Sequence, residues 1–430
     1  MLRKYLLVGV ALSAITLAPA AQAQLVEITA TVGGVTRTLS FNNLESALSQ
    51  LTGPGLAATF PGYTSGTAVN ANINYNNQPL TLIVPQGTTT SIVFNPLTGQ
   101  AVAVTAASAG GAVNNVRAFF QGDTSVATPV SSLPASVLAS LPAEIRNAPV
   151  LSPTTLIQSA VRHTITDPVA GNPTSLMPSM VAADFLAGSA PTGAMLGVNQ
   201  PRETGWRFSL GANIATTTQG GADTRAFSAP MRGSYYNAGT GTEIFLDSVQ
   251  ALVDVSGTNV YQGSVGVGVR QRVWSGTNFE WNVTPAFRWG LAGSENYGRG
   301  SQAVGGSLTS DFRYAVTPTY TLAVTNTAAY YQTERYNWSG GSVDYDLQNQ
   351  FYRNGISLSR PLGEAFGRPV QGGLTFVDTR VTGSHWAIMN WQEYGVVVAS
   401  GGRLPARFTL TYMNGQQNFQ ALRFGLSMGF

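Results

Sequence analysis

The chain has 430 residues, room for two or three domains, but only 10% of them are charged, well below the roughly 25% usual in soluble globular proteins. Its formal net charge is +3, and setting aside the N-terminal Arg3 and Lys4 leaves 21 basic residues against 20 acidic, so nothing in the balance calls for nucleic acid. No cysteine is present, which excludes a disulfide framework, a lipoprotein anchor and thiolate metal sites.

In chain order, Arg3 and Lys4 form a basic head, Tyr5 to Leu17 are largely apolar, and Ala21-Gln22-Ala23 precedes Gln24. This is the pattern of a cleaved secretory signal, expected over residues 1–23. Beyond it no uninterrupted apolar run approaches the ~18 residues of a membrane-spanning helix. A closed β-barrel is the other structure that satisfies every backbone group in lipid, and its alternating strands combine low charge with middling hydropathy.

Residues 24–104 are expected to form a small β-rich module. Val26–Val32 and Val35–Phe41 flank Gly33-Gly34, a hairpin signal. A short helix is expected next, capped by Asn42 or Asn43, with Leu44, Ala47, Leu48 and Leu51 as its stripe and Gly53-Pro54 as its stop. Two further hairpins turn at Asn76-Asn77-Gln78 and at Asn95 to Gly99. Residues 105–203 are rich in Ala, Ser, Thr and Pro and read as a linker in which repeated prolines leave room only for short helices. Ser152 to about His163, with Pro153 at its first turn, and Ser179 to Leu186 are the two candidates.

Past Gly205 the composition changes: all seven tryptophans and thirteen of the sixteen tyrosines lie there. Aromatic residues gather at the two bilayer interfaces of a barrel, so residues 204–430 are expected to be membrane-embedded. Trp206, Phe208, Leu210, Ala212 and Ile214 alternate with Arg207, Ser209, Gly211 and Asn213; Phe279, Trp281, Val283, Phe287 and Trp289 alternate with Glu280, Asn282, Thr284 and Arg288. Tyr261 to Arg270, Tyr320 to Tyr330, Leu374-Thr375-Phe376 and Tyr394 to Val398 continue the series, with poorer segments near Phe227–Asn237 and Glu243–Asp254. The count reaches about twelve strands, with ten almost as easily drawn. The fold class is therefore all-β: an antiparallel transmembrane barrel preceded by a β-rich module and a Pro-rich linker.

The last stretch places Leu422, Phe424, Leu426, Met428 and Phe430 on one face and Arg423, Gly425, Ser427 and Gly429 on the other. Asn414-Gly415 separates it from Arg407–Tyr412, which suggests a tight closing hairpin. A terminal strand ending in an aromatic residue resembles the closing strand of Gram-negative outer-membrane β-barrels. With the N-terminal module and helix-prone linker, the arrangement resembles an autotransporter. The resemblance implies an outer-membrane location, outer-membrane lipid and the barrel-assembly machinery as partners, Phe424, Leu426, Met428 and Phe430 as the assembly signal, and a linker helix threading the pore, for which Ser179–Leu186 is the candidate.

An arginine facing lipid at the bilayer midplane costs about 2–4 kcal/mol in such barrels, so Arg207, Arg270, Arg288 and Arg423, each set between outward apolar residues, are expected to face the lumen. From residue 202 onward there are seventeen Arg against fourteen Asp plus Glu. Such charges either pair into a polar core or line a weakly anion-preferring pore. Catalysis is poorly supported. His163 and His385 are the only histidines, Ser384-His385 is adjacent rather than spaced for a nucleophile–base pair, and Asp247, Asp254, Asp344 and Asp346 are scattered. No enzyme activity, cofactor or metal is expected. The expected role is a barrel that anchors the N-terminal module at the cell surface for binding or adhesion to an unidentified ligand, with its export by the barrel left open; the alternative is a small porin-like channel or structural barrel with a periplasmic N-terminal domain.

Overall fold

The structure, a computed structural model, describes residues 26–41, 44–75, 78–120, 125–152, 167–189, 198, 202–219, 222–255, 258–294, 299–334, 336–338, 341–343, 347–384, 388–402 and 404–430. The expected signal peptide, the expected helix from Pro153 to His163, and His385, Asp344 and Asp346 lie outside these residues.

The N-terminal sheet comprises β1 (Val26–Val32), β2 (Val35–Phe41), β3 (Val69–Tyr75), β4 (Gln78–Val84), β5 (Thr90–Asn95), β6 (Gln100–Thr105) and β7 (Ala127–Thr128), in the order β2-β1-β3-β4-β5-β6-β7. Gly33 and Gly34 both have positive φ, 57° and 83°, the backbone a two-residue hairpin turn needs. On β1 the alternation buries Val26, Ile28, Ala30 and Val32. Opposite them pack α1 (Leu44–Gln50), through Ala47 and Leu48, and α2 (Gly53–Thr59), through Leu56. Gly53-Pro54 thus ends one helix and begins the next: the Thr52 hydroxyl accepts from the Gly55 N–H, and the proline occupies the first turn, where a missing N–H costs nothing.

The expected boundary at residue 104 falls inside this module. After α3 (Ala109–Phe120), β7 adds to the sheet, and α4 (Ala135–Ala139) and α5 (Ala143–Arg146) follow. Val130, Leu133, Leu141 and Ile145 then cover Ile92, Phe94, Ala101 and Ala103. Leu151 is buried in the main core, and Val150 bridges to Ala101. The prolines that read as breaks are starters here: Pro134 and Pro142 stand at the N-caps of α4 and α5, because a fixed φ and a lost N–H are harmless where no intrahelical donor is needed.

The C-terminal half is a closed antiparallel barrel of twelve strands: β8 (Gly205–Gln219), β9 (Ala222–Asn237), β10 (Thr242–Val255), β11 (Thr258–Ser275), β12 (Phe279–Ser294), β13 (Arg299–Ala315), β14 (Thr321–Glu334), β17 (Gln348–Ala365), β18 (Arg368–Gly383), β19 (Asn390–Ser400), β20 (Ala406–Gly415) and β21 (Gln420–Gly429). The short strands β15 (Tyr336–Trp338) and β16 (Gly341–Val343) form a separate hairpin in the connection 335–347. Closure comes from β21 pairing with β8, extended by reciprocal bonds of 2.9 Å between the backbones of Phe208 and Phe430. The closing hairpin turns later than Asn414-Gly415 suggested. Both residues belong to β20, and the chain reverses over 416–419, where Gln417 and Asn418 take positive φ. Gly415 is extended and faces Trp391, whose Cβ would lie 3.0 Å from a Cβ added at Gly415, so this glycine serves packing rather than the turn.

The exterior has the pattern of a lipid-facing wall. Leu210, Met231, Leu246, Val267, Leu308, Ile356, Leu374, Phe424 and Leu426 are exposed at mid-height. Near the end that holds Gly205 and Phe430, Trp206, Trp274 and Tyr314 are exposed, and near the other end Tyr261, Tyr330, Tyr352 and Tyr394. These are the two interfacial aromatic girdles of a transmembrane barrel.

Candidate functional site

The bore is occupied by the chain's own helix. α6 (Leu176–Ser189) has no polar stripe, and Leu176, Met177, Met180, Val181, Asp184 and Phe185 are all buried. A helix apolar all round can be stable only where it is enclosed, and α6 lies inside the barrel against β11, β12, β13 and β14. Small residues in the wall make the room. A Cβ on Gly290 would come within 3.0 Å of Leu176 and Met180, and one on Gly355 within 2.6 Å of Phe185. The helix expected over Ser179–Leu186 is the central part of α6.

One charge on α6 fixes its depth. Asp184 receives Nε of Arg288 at 2.9 Å and the hydroxyl of Tyr331, while Nη2 of Arg288 reaches Asp247 at 2.5 Å and its Nη1 reaches Ser264 at 3.3 Å. Arg288 and Asp184 are fully buried. Both would be unfavourable alone, and each is tolerable because the other fills its hydrogen-bonding capacity. A Cβ on Gly266 would collide with Nη2 of Arg288, so glycine at this lumenal position leaves space for the pair.

The helix has a polarity along the bore. At its C-terminal end the carbonyls of Ala187 and Ser189 accept from Arg232 and Arg313, cations where unsatisfied carbonyls and the negative end of the helix dipole are found. At the other end Gln262 donates to the Pro168 carbonyl, and the Asp167 carboxylate accepts the Val169 and Ala170 N–H groups at 2.8 Å each. There Val169, Leu176, Met177 and Val181 pack with inward-facing Tyr331, Phe351, Trp391, Met413 and Phe419, an apolar seal within the mouth of the barrel. Trp391 is 2% exposed. At the same mouth the core of the N-terminal module continues into inward-facing Val253 and Val260.

Of the four arginines singled out from sequence, Arg270 is buried against Asp311 at 3.1 Å and Arg288 holds α6. Arg423 points inward with Nη2 3.5 Å from the Met413 sulfur. Arg207 lies at the Gly205 rim over the Tyr236 ring and donates to the Glu203 carbonyl. The four do not form one cluster. Further inward charges are Arg353 with Glu393 at 2.7 Å, Arg313 with Asp311 at 2.9 Å, and Arg232 and Arg202 sharing Glu243 at 3.6 and 3.7 Å. Phe424, Leu426, Met428 and Phe430 are all exposed on the outer face, and Phe430 stacks on Phe208 at 6.3 Å. Asp254 lies at the end of β10, and Asp247 is held by Arg288. His163 and His385 fall outside the described residues. Sequence reasoning missed Asp184 and the apolar seal; the one available signal was a lone carboxylate in an otherwise apolar helix.

No protein-family model matches the sequence, and no curated protein does. Among solved structures the chain is similar to the β domain of the Bordetella autotransporter BrkA, with 14% identity over 52% of this chain and 98% of that one and a TM-score of 0.41. It is similar to the translocator domain of the autotransporter NalP from Neisseria meningitidis, with 13% identity, coverage of 59% and 93% and a TM-score of 0.37. An outer membrane channel from Pseudomonas putida F1 matches at 9% identity, 54% and 96% coverage and a TM-score of 0.39. The C-terminal half is thus a closed barrel of twelve antiparallel strands that encloses a helix of the same chain.

Proposed function

We propose that this protein is an outer-membrane anchor that holds its N-terminal module at the cell surface, where the module acts by binding. The observation that carries this reading is the direction in which the chain runs through the barrel. It arrives at the mouth beside the N-terminal module, descends as α6, and begins β8 at the opposite end, where Phe430 also lies. In bacterial barrels the short turns face the periplasm and the longer loops face outward. The Gly205–Phe430 end has the connections 238–241, 276–278, 316–320, 366–367 and 401–405, none longer than five residues, and the other end has 220–221, 256–257, 295–298 and 416–419 together with the two longest, 335–347 and 384–389. That asymmetry supports a periplasmic position for Gly205 and Phe430, and so a surface position for the module. A periplasmic N-terminal domain would reach β8 without crossing the bore, so the threaded helix weighs against the channel-with-periplasmic-domain alternative. Export of the module through the barrel during assembly is consistent with the same path. The outward row Phe424, Leu426, Met428 and Phe430 is placed to meet lipid and the barrel-assembly machinery.

Because the chain has no cysteine, single-cysteine variants report sidedness without background. Thr98→Cys, in an exposed turn of the module, should react with a membrane-impermeant maleimide on intact cells. Thr240→Cys, in an exposed turn at the Gly205 end, should react only after the outer membrane is permeabilised. The reverse pattern overturns the assignment.

A further inference from the structure

α6 fills one side of the bore, against β11–β14. Beside it, under the walls formed by β8, β9 and β17–β21, is a cavity of about 430 Å³. Its wall is mostly Gly, Ala, Ser and Thr, including Ser209, Thr375 and Thr411, and five arginines border it: Arg232, Arg313, Arg353, Arg407 and Arg423.

The carboxylates at this cavity are too few for those arginines. Asp247 is committed to Arg288. Asp311 is shared by Arg270 and Arg313. Glu393 is bonded to Arg353 and also receives the indole N–H of Trp391, while it serves Arg423 only through space. Arg407 has no hydrogen bond or ion pair among the described residues; its charged neighbours are Arg313 and Asp311. Nε of Arg232 and Nε of Arg353 are buried without hydrogen-bond partners, and Nη2 of Arg232 has only Glu243 at 3.6 Å, a carboxylate that Arg202 shares. Residues 190–201, Ala-Pro-Thr-Gly-Ala-Met-Leu-Gly-Val-Asn-Gln-Pro, contain no Asp or Glu, so that stretch supplies no missing carboxylate. Enclosed guanidinium groups lacking counter-charge are expensive, and planar N–H donors of this kind match oxyanions with two or more acceptor oxygens.

We propose that the cavity beside α6 is a binding site for a multivalent oxyanion of the phosphate class, with Arg407 as its principal ligand and Arg313 and Arg232, each already holding a helix carbonyl, at its edge. The site lies toward the Gly205 end, since Arg407 pairs with Ser427 across β20 and β21 and Arg232 with Ser209 across β8 and β9.

The test is isothermal titration of the purified full-length protein in detergent with inorganic phosphate, against chloride at matched ionic strength. The expected result is saturable binding of phosphate that chloride does not reproduce. In Arg407→Gln the affinity should fall at least tenfold, with folding checked by heat-modifiable electrophoretic mobility. A second variant keeps the inference falsifiable should Arg407→Gln fail to fold. Ser427→Asp places a carboxylate directly across from Arg407, and it should abolish phosphate binding while raising the melting temperature measured without phosphate. Identical responses to phosphate and chloride, or unchanged affinity in both folded variants, would overturn the site.

Discussion

Asp184 shows how much one side chain can decide when it is enclosed. Its carboxylate is the only charge on α6, and it meets Arg288, which sits 0% exposed between Asp184 and Asp247. Removing one member of a buried pair leaves the other desolvated and uncompensated, a loss of about 3–5 kcal/mol. Asp184→Ala should lie at the low end, because Asp247 remains to neutralise Arg288. Arg288→Ala should cost more, because it strands the Asp184 and Asp247 carboxylates together. Thermal unfolding of the two single variants and the double variant in detergent forms a cycle that reads the coupling. If Asp184→Ala unfolds like the parent, the pair does not hold the helix. The inward direction of Arg288 could be read from β12 alone, since Phe287 and Trp289 on either side need lipid. Its partner could not, because Asp184 is 104 residues earlier and no local pattern links a helix to the strand that will enclose it.

At the level of elements, alternation was informative wherever one strand face meets lipid and the other a polar interior. Leu422 to Phe430 is the clearest case, with Leu426 45% exposed on the outer face and Ser427 bordering the lumenal cavity. Neighbouring substitutions should therefore have opposite signs. Leu426→Arg puts a cation against hydrocarbon midway between the girdles and should lose about 2–4 kcal/mol, whereas Ser427→Asp gains a partner in Arg407. Equilibrium unfolding in lipid vesicles measures both, and equal effects would contradict the register. Pattern failed where a strand changes solvent along its length. Tyr331, Phe351, Trp391 and Met413 face inward yet are apolar, because near the mouth opposite Gly205 the lumen holds α6 and its preceding turn rather than water. It failed again at the prolines of 129–142, where each could be read only as a break until the sheet face that the helical turns cover was known. Turn position was equally elusive: Asn414-Gly415 has the composition of a hairpin turn, but the demands of packing on Trp391 place Gly415 within the strand.

For the molecule as a whole, the barrel is sealed from one side by its own chain. The apolar cluster around Trp391 and Phe419 blocks the mouth opposite Gly205, and the N-terminal module packs on Val253 and Val260 beside it. In planar bilayers the intact protein should therefore pass little current. Replacing 167–189 with a Gly/Ser segment of the same length keeps the connection but removes the seal, since such a chain stays flexible and presents no apolar surface to Tyr331 and Phe351. The replacement also removes Asp184, leaving Arg202, Arg232, Arg270, Arg288, Arg313, Arg353, Arg407 and Arg423 facing Glu243, Asp247, Glu280, Asp311 and Glu393 across the lumen. A ring of fixed positive charge in a narrow pore favours anions, so the variant should conduct, and its reversal potential in a KCl gradient should lie toward that of chloride. Adding Arg288→Gln should reduce the preference without closing the pore. Were the variant as silent as the parent, the obstruction would lie elsewhere than α6; were it to conduct with cation preference, the arginines would be neutralised by pairing more completely than their shared carboxylates allow.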